Sequence, residues 1–526
     1  MQKQNHNMRT ERKSSIKNSA TRLILIALLV LIQTGWMIVL MSKLNTYSTA
    51  ITLIMTCIAV IIALKVFGTH VNSAQRMPWL IVITAVPFFG ICIYLLFGRS
   101  IVTKGMRRRF NGIEADILKN KLKQDEQIIK ELEQKDPGIA NQCRYISNTA
   151  KYPVYKNTDM EYYNTALESF EAQLWELSKA EKFIFMEYHA IEDAISFERL
   201  KKVLIDKAKN GVEVRIFYDD LGSIFFLNKE FIKRMRDEGI QCRVFNPLKV
   251  IVNMFMNNRD HRKITVIDGK VGFTGGYNLA DEYFNITHPY GYWKDTGVKL
   301  TGDAVKSLTA SFLTMWNAID HTDSQEAYDE YIDATDGTYN AASQECYVQP
   351  YSDNPLGHDR IGEDVYLNIL KNAKHYVYIT TPYLIITDEM ERELRLAVKR
   401  GVDVRIVTPG IPDKKMVYKI TRSYYEPLCS AGVRIYEYTP GFCHAKQWVA
   451  DDELCVVGTI NMDFRSLYLH FENAVFTYNR DLAGKVKADM LNNFEISNEV
   501  TSDYAVDVIR PLKLGTCMLH MISPLL

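Results

Sequence analysis

Two stretches 190 residues apart constrain this chain more than anything else in it: "NGVEVRI" at 210–216 returns as "RGVDVRI" at 400–406. The same order of elements surrounds each. In the first half, the apolar run Lys182–Tyr188 reads as a buried strand. A helix follows at about Phe197–Lys209, Gly211 ends it, and Val212–Tyr218 reads as the next strand. In the second half, His375–Thr380 is followed by a helix at about Glu389–Lys399, then Gly401 and the strand Val402–Val407. Related strands, at 238–245 and 431–438, come next in each half. A strand–helix–strand order with helix-ending glycines predicts parallel pairing and right-handed crossovers. Two similar α/β domains are expected, at about 140–335 and 345–526, with mixed sheets packed face to face.

The chemistry recurs with the repeat. The first half holds His261-x-Lys263-x4-Asp268-x6-Gly275-Gly276-x-Asn278 and the second His444-x-Lys446-x4-Asp451-x6-Gly458-Thr459-x-Asn461. Side chains at i and i+2 on a strand share a face, so each His and Lys point together. Asp268-Gly269 signals a hairpin, and the return through Val271–Thr274 brings Asn278 back beside His261 and Lys263. Lys offers a phosphate a point charge, Asn an amide donor, and imidazole a nucleophile or a proton. Two copies facing each other let one imidazole attack phosphorus while the other protonates the leaving oxygen, a scheme that needs no metal and no cofactor.

The chain's net charge of +1 hides a split. Residues 1–110 carry 14 Lys/Arg and one acid, whereas 111–526 carry 49 basic and 61 acidic residues. A body at net −12 argues against a nucleic-acid binder, which needs basic surface to hold phosphates. The basic head, 1–22, is followed by an apolar anchor, 23–97, with runs at Leu23–Met41, Ala50–Val66 and Trp79–Phe97, each near the ~20 residues that cross a bilayer. The first run is long for a signal-peptide core, and no small-x-small cleavage site follows it closely. Basic residues flank both ends of the anchor, and the positive-inside rule wants both ends in the cytoplasm. Three spans would separate them, so either one run is re-entrant or one end violates the bias. The Thr-rich second run and the third run, with Pro87, are the candidates. Arg107–Arg109 reads as a positive-inside stop, residues 98–139 as a charged helical linker, and Asp219-Asp220 as the surface end of a strand. Nine cysteines scattered without a C-x-x-C pair favour a reducing compartment and hence a cytoplasmic body on a multi-pass bacterial membrane protein.

The two His-Lys-Asp motifs resemble those of the phospholipase D superfamily, and the similarity to its bacterial cardiolipin synthase branch extends over almost the whole chain. It also rests on Tyr94–Arg99, Gly275–Tyr283 (GGYNLADEY), Tyr292–Gly297 (YWKDTG), Asn461–Ser466 (NMDFRS) and the terminal Ser523–Leu526. The resemblance implies a phosphatidyltransferase acting on phosphatidylglycerol in an anionic membrane. His261, Lys263, Asp268, His444, Lys446 and Asp451 form the catalytic motifs, with Asn278 and Asn461 on the phosphate. His261 is the favoured nucleophile, although the two histidines are near-equivalent. Within the motifs, Asp268 and Asp451 look more like turn residues than phosphate contacts. Glu472, 28 residues after His444, matches a family carboxylate that bonds the catalytic His. In the first repeat that spacing falls on Pro289, and Asp295 is the better candidate. Asp260, where Asn is common, adds a negative charge expected to raise the pKa of His261. Thr459 keeps a hydroxyl where Ser is usual, and Cys443 stands where an aliphatic residue is usual. The competing reading is a membrane-bound phospholipase D or phosphodiesterase using the same site; oligomeric state and acceptor specificity stay open.

Overall fold

The computed structural model describes residues 49–69, 71–98, 104–228, 230–247, 258–334, 339–342, 345–507 and 514–523, with scattered positions between 28 and 43. The first apolar run and the basic leader lie largely outside these.

The first repeat contributes β1 (Thr158–Tyr163), β2 (Phe183–Tyr188), β3 (Glu213–Asp219), β4 (Gln241–Phe245), β5 (Arg259–Asp260), β6 (Lys263–Ile267), β7 (Val271–Gly275), β8 (Tyr292–Lys294) and β9 (Gly297–Gly302). The second contributes β10 (Tyr347–Asp353), β11 (Tyr376–Thr380), β12 (Leu384–Ile385), β13 (Asp403–Pro409), β14 (Arg434–Tyr438), β15 (Gly441–Cys443), β16 (Gln447–Ala450), β17 (Leu454–Gly458), β18 (Met462–Asp463), β19 (His470–Tyr478) and β20 (Ser497–Glu499). The first sheet runs β1-β9-β7-β6-β2-β3-β4, and the second β10-β19-β17-β16-β11-β13-β14-β20. Strand for strand, the second order repeats the first. β2, β3 and β4 pair in parallel and β6 joins β2 antiparallel, so the sheets are mixed.

The central strands are mostly apolar because both faces are covered. All six residues of β2 and all five of β11 are buried. The helix Ile195–Lys209 buries Phe197, Leu200 and Leu204, an i, i+3, i+7 stripe. The helix Val305–Ile319 is buried around nearly its whole circumference, and the Phe312 ring stacks on Phe185 of β2 at 4.6 Å.

The segment expected as a linker is instead built into the body. Helices Lys104–Asn120, Glu126–Lys135 and Pro137–Thr149 bury Ile117, Leu132 and Ile146 completely, and Phe110 meets Phe471 ring to ring at 5.1 Å. Arg109 Nε donates to Ala318 O and Arg107 Nη2 to Leu356 O, both at 3.1 Å. Two of the three juxtamembrane arginines therefore dock the helix Lys104–Asn120 on the body.

In the anchor, the second run forms the helix Thr49–Phe67. The third run is not one helix. Val86 leaves helical geometry (φ −136°, ψ 78°), ending Ser73–Ala85, and Pro87 starts a second helix, Pro87–Phe97. The two halves pack closely: a Cβ on Gly90 would lie 2.2 Å from Val82 O, and Trp79 meets Tyr94 edge-on at 5.5 Å. No helix among the described residues is long and apolar enough to cross a membrane.

Candidate active site

Two short strands cross from one repeat to the other, and each delivers a histidine. β5 pairs in parallel with the start of β19, so His261 N donates to Phe471 O at 2.9 Å. Its ring Nδ1 then meets both oxygens of Glu472, at 2.9 and 3.0 Å. On the other side, β15 pairs in parallel with β8, and His444 N donates to Lys294 O at 2.7 Å. Its Nδ1 meets Asp295 Oδ2 at 2.6 Å. Both orienting acids therefore act across the repeats: Glu472 holds His261 and Asp295 holds His444. The cause is the exchange of edges, which sets each histidine one step beyond a short strand that is paired with the opposite repeat. A carboxylate on Nδ1–H fixes the tautomer that leaves the Nε2 lone pair for chemistry.

Both acids are fully buried. Glu472 accepts the hydroxyls of Thr459 and Ser466, a use for the hydroxyl that Thr459 retains. Asp295 is positioned by its own loop: Oδ1 accepts Thr296 N at 2.9 Å. A Cβ on Gly276 would fall 2.1 Å from the same oxygen, so glycine is required there.

Lys263 and Lys446 are buried, each ammonium donating to the carbonyl of the histidine two residues before it. Lys446 Nζ also lies 2.7 Å from His444 Nδ1. Burial pushes Lys263 down to about 7 and Lys446 down to about 8. Burial and then Lys446 push His444 down to about 3. Burial, Lys263 and Lys446 hold His261 well below the ordinary imidazole value. This is the reverse of the increase expected from Asp260: burial and the two lysines dominate, and Asp260 Oδ1 itself accepts from Arg262 Nε at 3.1 Å. Cys443 is buried and pushed up to about 12, so it stays a thiol.

The two histidines, Asn278 and Asn461 line one cavity of about 750 Å³. Asn278 Oδ1 accepts Ala190 N at 3.2 Å and its amide donates to Tyr283 Oη at 2.8 Å. Asn461 Oδ1 is buried without a hydrogen-bond partner among the described residues. Asp268 and Asp451 do not reach the cavity. They sit at the hairpin turns with φ of 52° and 54°. Asp268 accepts the backbone N–H groups of Glu181, Lys182 and Phe183, and Asp451 those of Lys374, His375 and Tyr376. Each clamps the entry to the central strand, so neither has the catalytic place given to it with the motif. Asp219 is not at the surface either: it is fully buried, accepts Leu221, Gly222 and Asp260 N–H, and burial pushes it up to about 6.

Several lining residues were not foreseen: His189, Arg259, Tyr383, Arg465 and His470. One signal was available, since His470 stands two residues before Glu472 on a strand and shares its face. His189 follows the end of β2 and carries no local mark.

The family model for the cardiolipin synthase PLD-like domain matches residues 174–316 and 366–494, and that for the phospholipase D-nuclease N-terminal region matches 54–99. The chain is 40% identical over 465 residues to an uncharacterized protein of Streptococcus mutans, covering 88% of this chain and 99% of that one. A cardiolipin synthase of Geobacillus is 32% identical over 482 residues, with 90% and 94% covered. Cardiolipin synthase 2 of Bacillus cereus is 33% identical over 477 residues, with 90% of each covered. Among solved structures, phosphatidylserine synthase of Haemophilus influenzae shares the fold, with a TM-score of 0.54 at 15% identity over 69% of this chain and 93% of that one. Duplicated sheets, facing histidines and these matches agree: the chain belongs to the cardiolipin synthase family of the phospholipase D superfamily.

Proposed function

We propose that this protein transfers a phosphatidyl group from one phosphatidylglycerol to another, giving cardiolipin and glycerol. The observation that carries this reading is the pair of imidazoles in one cavity, each tied through Nδ1 to a buried carboxylate of the other repeat. His261 Nε2 attacks phosphorus, the bond to the terminal glycerol oxygen breaks, and His444 gives that oxygen a proton. A phosphatidyl-histidine remains. The headgroup hydroxyl of a second phosphatidylglycerol then attacks from the side the glycerol left, losing its proton to His444. One phosphodiester replaces another, so no energy carrier is consumed. Lys263, Lys446, Asn278 and Asn461 hold the non-bridging oxygens. The bound anion offsets the two ammonium charges that depress His444, which lets it carry the proton it donates.

The basic, apolar head suits attachment to an anionic bilayer on the cytoplasmic side. The break at Val86-Pro87 returns the third run toward the side it entered, removing the odd crossing that would separate the two basic flanks. The reading is tested by trapping the intermediate at alkaline pH during turnover and mapping it by mass spectrometry. A phosphatidyl adduct on the His261 peptide is expected; an adduct on His444 alone overturns the assignment of nucleophile.

A further inference from the structure

Transfer between two phosphatidylglycerols brings two phosphodiesters to one cavity, and the residues assigned above serve one of them. A second set of cations lines the same cavity: Arg259, Lys414 and Arg465. Arg259 lies two residues before His261 on the extended segment that begins with β5, so the two side chains share a face and stand about 7 Å apart along it. In a cardiolipin the two phosphorus atoms are joined through a three-carbon bridge with an ester oxygen at each end, a span of comparable length.

The two arginines are incompletely compensated. Arg259 is 1% exposed, and its Nε has no hydrogen-bond partner among the described residues. Its Nη1 donates to Asn246 O at 2.8 Å and lies 3.6 Å from Asp219 Oδ1, but that carboxylate already accepts three backbone N–H groups. Arg465, on the helix Phe464–Tyr468, is within electrostatic reach of Arg259: burial holds its guanidinium below the ordinary value, Asp463 opposes this, and Arg259 adds to it. The acids that also line the cavity have other partners. Asp463 Oδ1 accepts Ser466 N at 2.9 Å. Asp413 accepts Tyr383 Oη at 2.6 Å and lies 4.0 Å from Lys414. Glu282 stands next to Tyr283, whose ring meets His444 at 5.3 Å on the other side. Two guanidinium groups held near each other repel, and a phosphate, whose oxygens match the guanidinium fork, relieves that repulsion.

We propose that Arg259 and Arg465 form a second phosphate subsite, which holds the phosphodiester of the acceptor lipid one glycerol length from the phosphorus bound at His261. Held there, the acceptor presents its free hydroxyl to the phosphatidyl-histidine while its own phosphate stays on the arginines. The hydroxyl oxygen bonds to phosphorus, the bond from phosphorus to His261 breaks, and the hydroxyl proton passes to His444. The subsite therefore selects an alcohol that carries a phosphate over water or free glycerol. Assignment of the anion to the acceptor rests on the transfer proposed above; the anion subsite itself does not.

The test follows two reactions of one phosphatidyl-enzyme, using full-length protein and phosphatidylglycerol in a non-ionic detergent. One is formation of cardiolipin; the other is exchange of labelled glycerol into phosphatidylglycerol, which needs no second lipid. In Arg465→Gln the ratio of cardiolipin formed to glycerol exchanged should fall at least tenfold, and Arg465→Lys should recover part of it. Arg259→Gln should shift the ratio the same way; if that buried change prevents folding, Arg465→Gln decides. A ratio unchanged in Arg465→Gln, with both reactions falling together or neither falling, overturns the acceptor role. Titration with glycerophosphoglycerol, the deacylated headgroup, reads the subsite without the chemistry. Two molecules per chain are expected in the unaltered protein and one in Arg465→Gln; a stoichiometry that the substitution does not change overturns the subsite. An unaltered protein that binds two headgroups yet makes no cardiolipin supports the subsite and contradicts the transfer reading, which keeps the two failures apart.

Discussion

Glu472 and Asp295 each hold one histidine through its Nδ1, and the cost of losing one is calculable. Glu472→Gln keeps the shape but can present an amide N–H to His261 Nδ1, favouring the wrong tautomer. Comparable changes in His-carboxylate pairs lower kcat by about 10⁴-fold. Turnover of Glu472→Gln on phosphatidylglycerol should therefore fall by on the order of 10²–10⁴-fold, with thermal stability changed far less; near-normal kcat would contradict the orienting role. The lysines offer a second check. Free, they titrate at about 7 and about 8; an anion bound between them raises both. Near pH 8, binding of inorganic phosphate should therefore take up protons, and kcat/KM should fall as pH rises through this range. Proton release on binding would reverse the sign and contradict the account. At this scale the motif residues were legible from duplicated spacing, and Asp295 and Glu472 from the resemblance, but which acid meets which histidine was not. Spacing reports contacts within a repeat, whereas these contacts cross between repeats.

The strands of the two large sheets show which elements a sequence reveals. β2, β3, β11 and β13 follow their sequence runs to within a residue or two, because they are mostly buried on both faces and dominated by apolar residues, even with Glu187, Arg215 and Arg405 among them. β5, β8 and β15 are two or three residues long and exist only through partners elsewhere in the chain, so no local period marks them. The helices Lys104–Asn120 and Glu126–Lys135 read as a linker because their charged faces dominate the composition, although their apolar stripes are buried. The hairpin aspartates belong to this scale. Asp451→Asn removes the charge from three backbone N–H contacts while tolerating positive φ. It should lower stability by about 2 kcal/mol, with turnover per folded molecule retained. A loss of turnover at unchanged stability would return Asp451 to the catalytic group.

The whole molecule works as one catalytic unit because β5–β19 and β15–β8 tie the repeats together at the histidines. Neither repeat holds an oriented histidine alone, so the halves cut between 335 and 345 should each be inactive when purified. The charge split also acts at this scale: net +13 over residues 1–110 sits beside a body at −12. Removing residues 1–98 should release the body from membranes and cut turnover on vesicles at least tenfold, while detergent-dispersed lipid is still used; undiminished membrane binding would contradict the anchor. The central claim is that an alcohol of a second lipid, not water, ends the reaction. The most direct measurement gives the purified protein phosphatidylglycerol alone and quantifies lipid and released glycerol together. The account predicts one cardiolipin per glycerol; phosphatidic acid and glycerol without cardiolipin would contradict it.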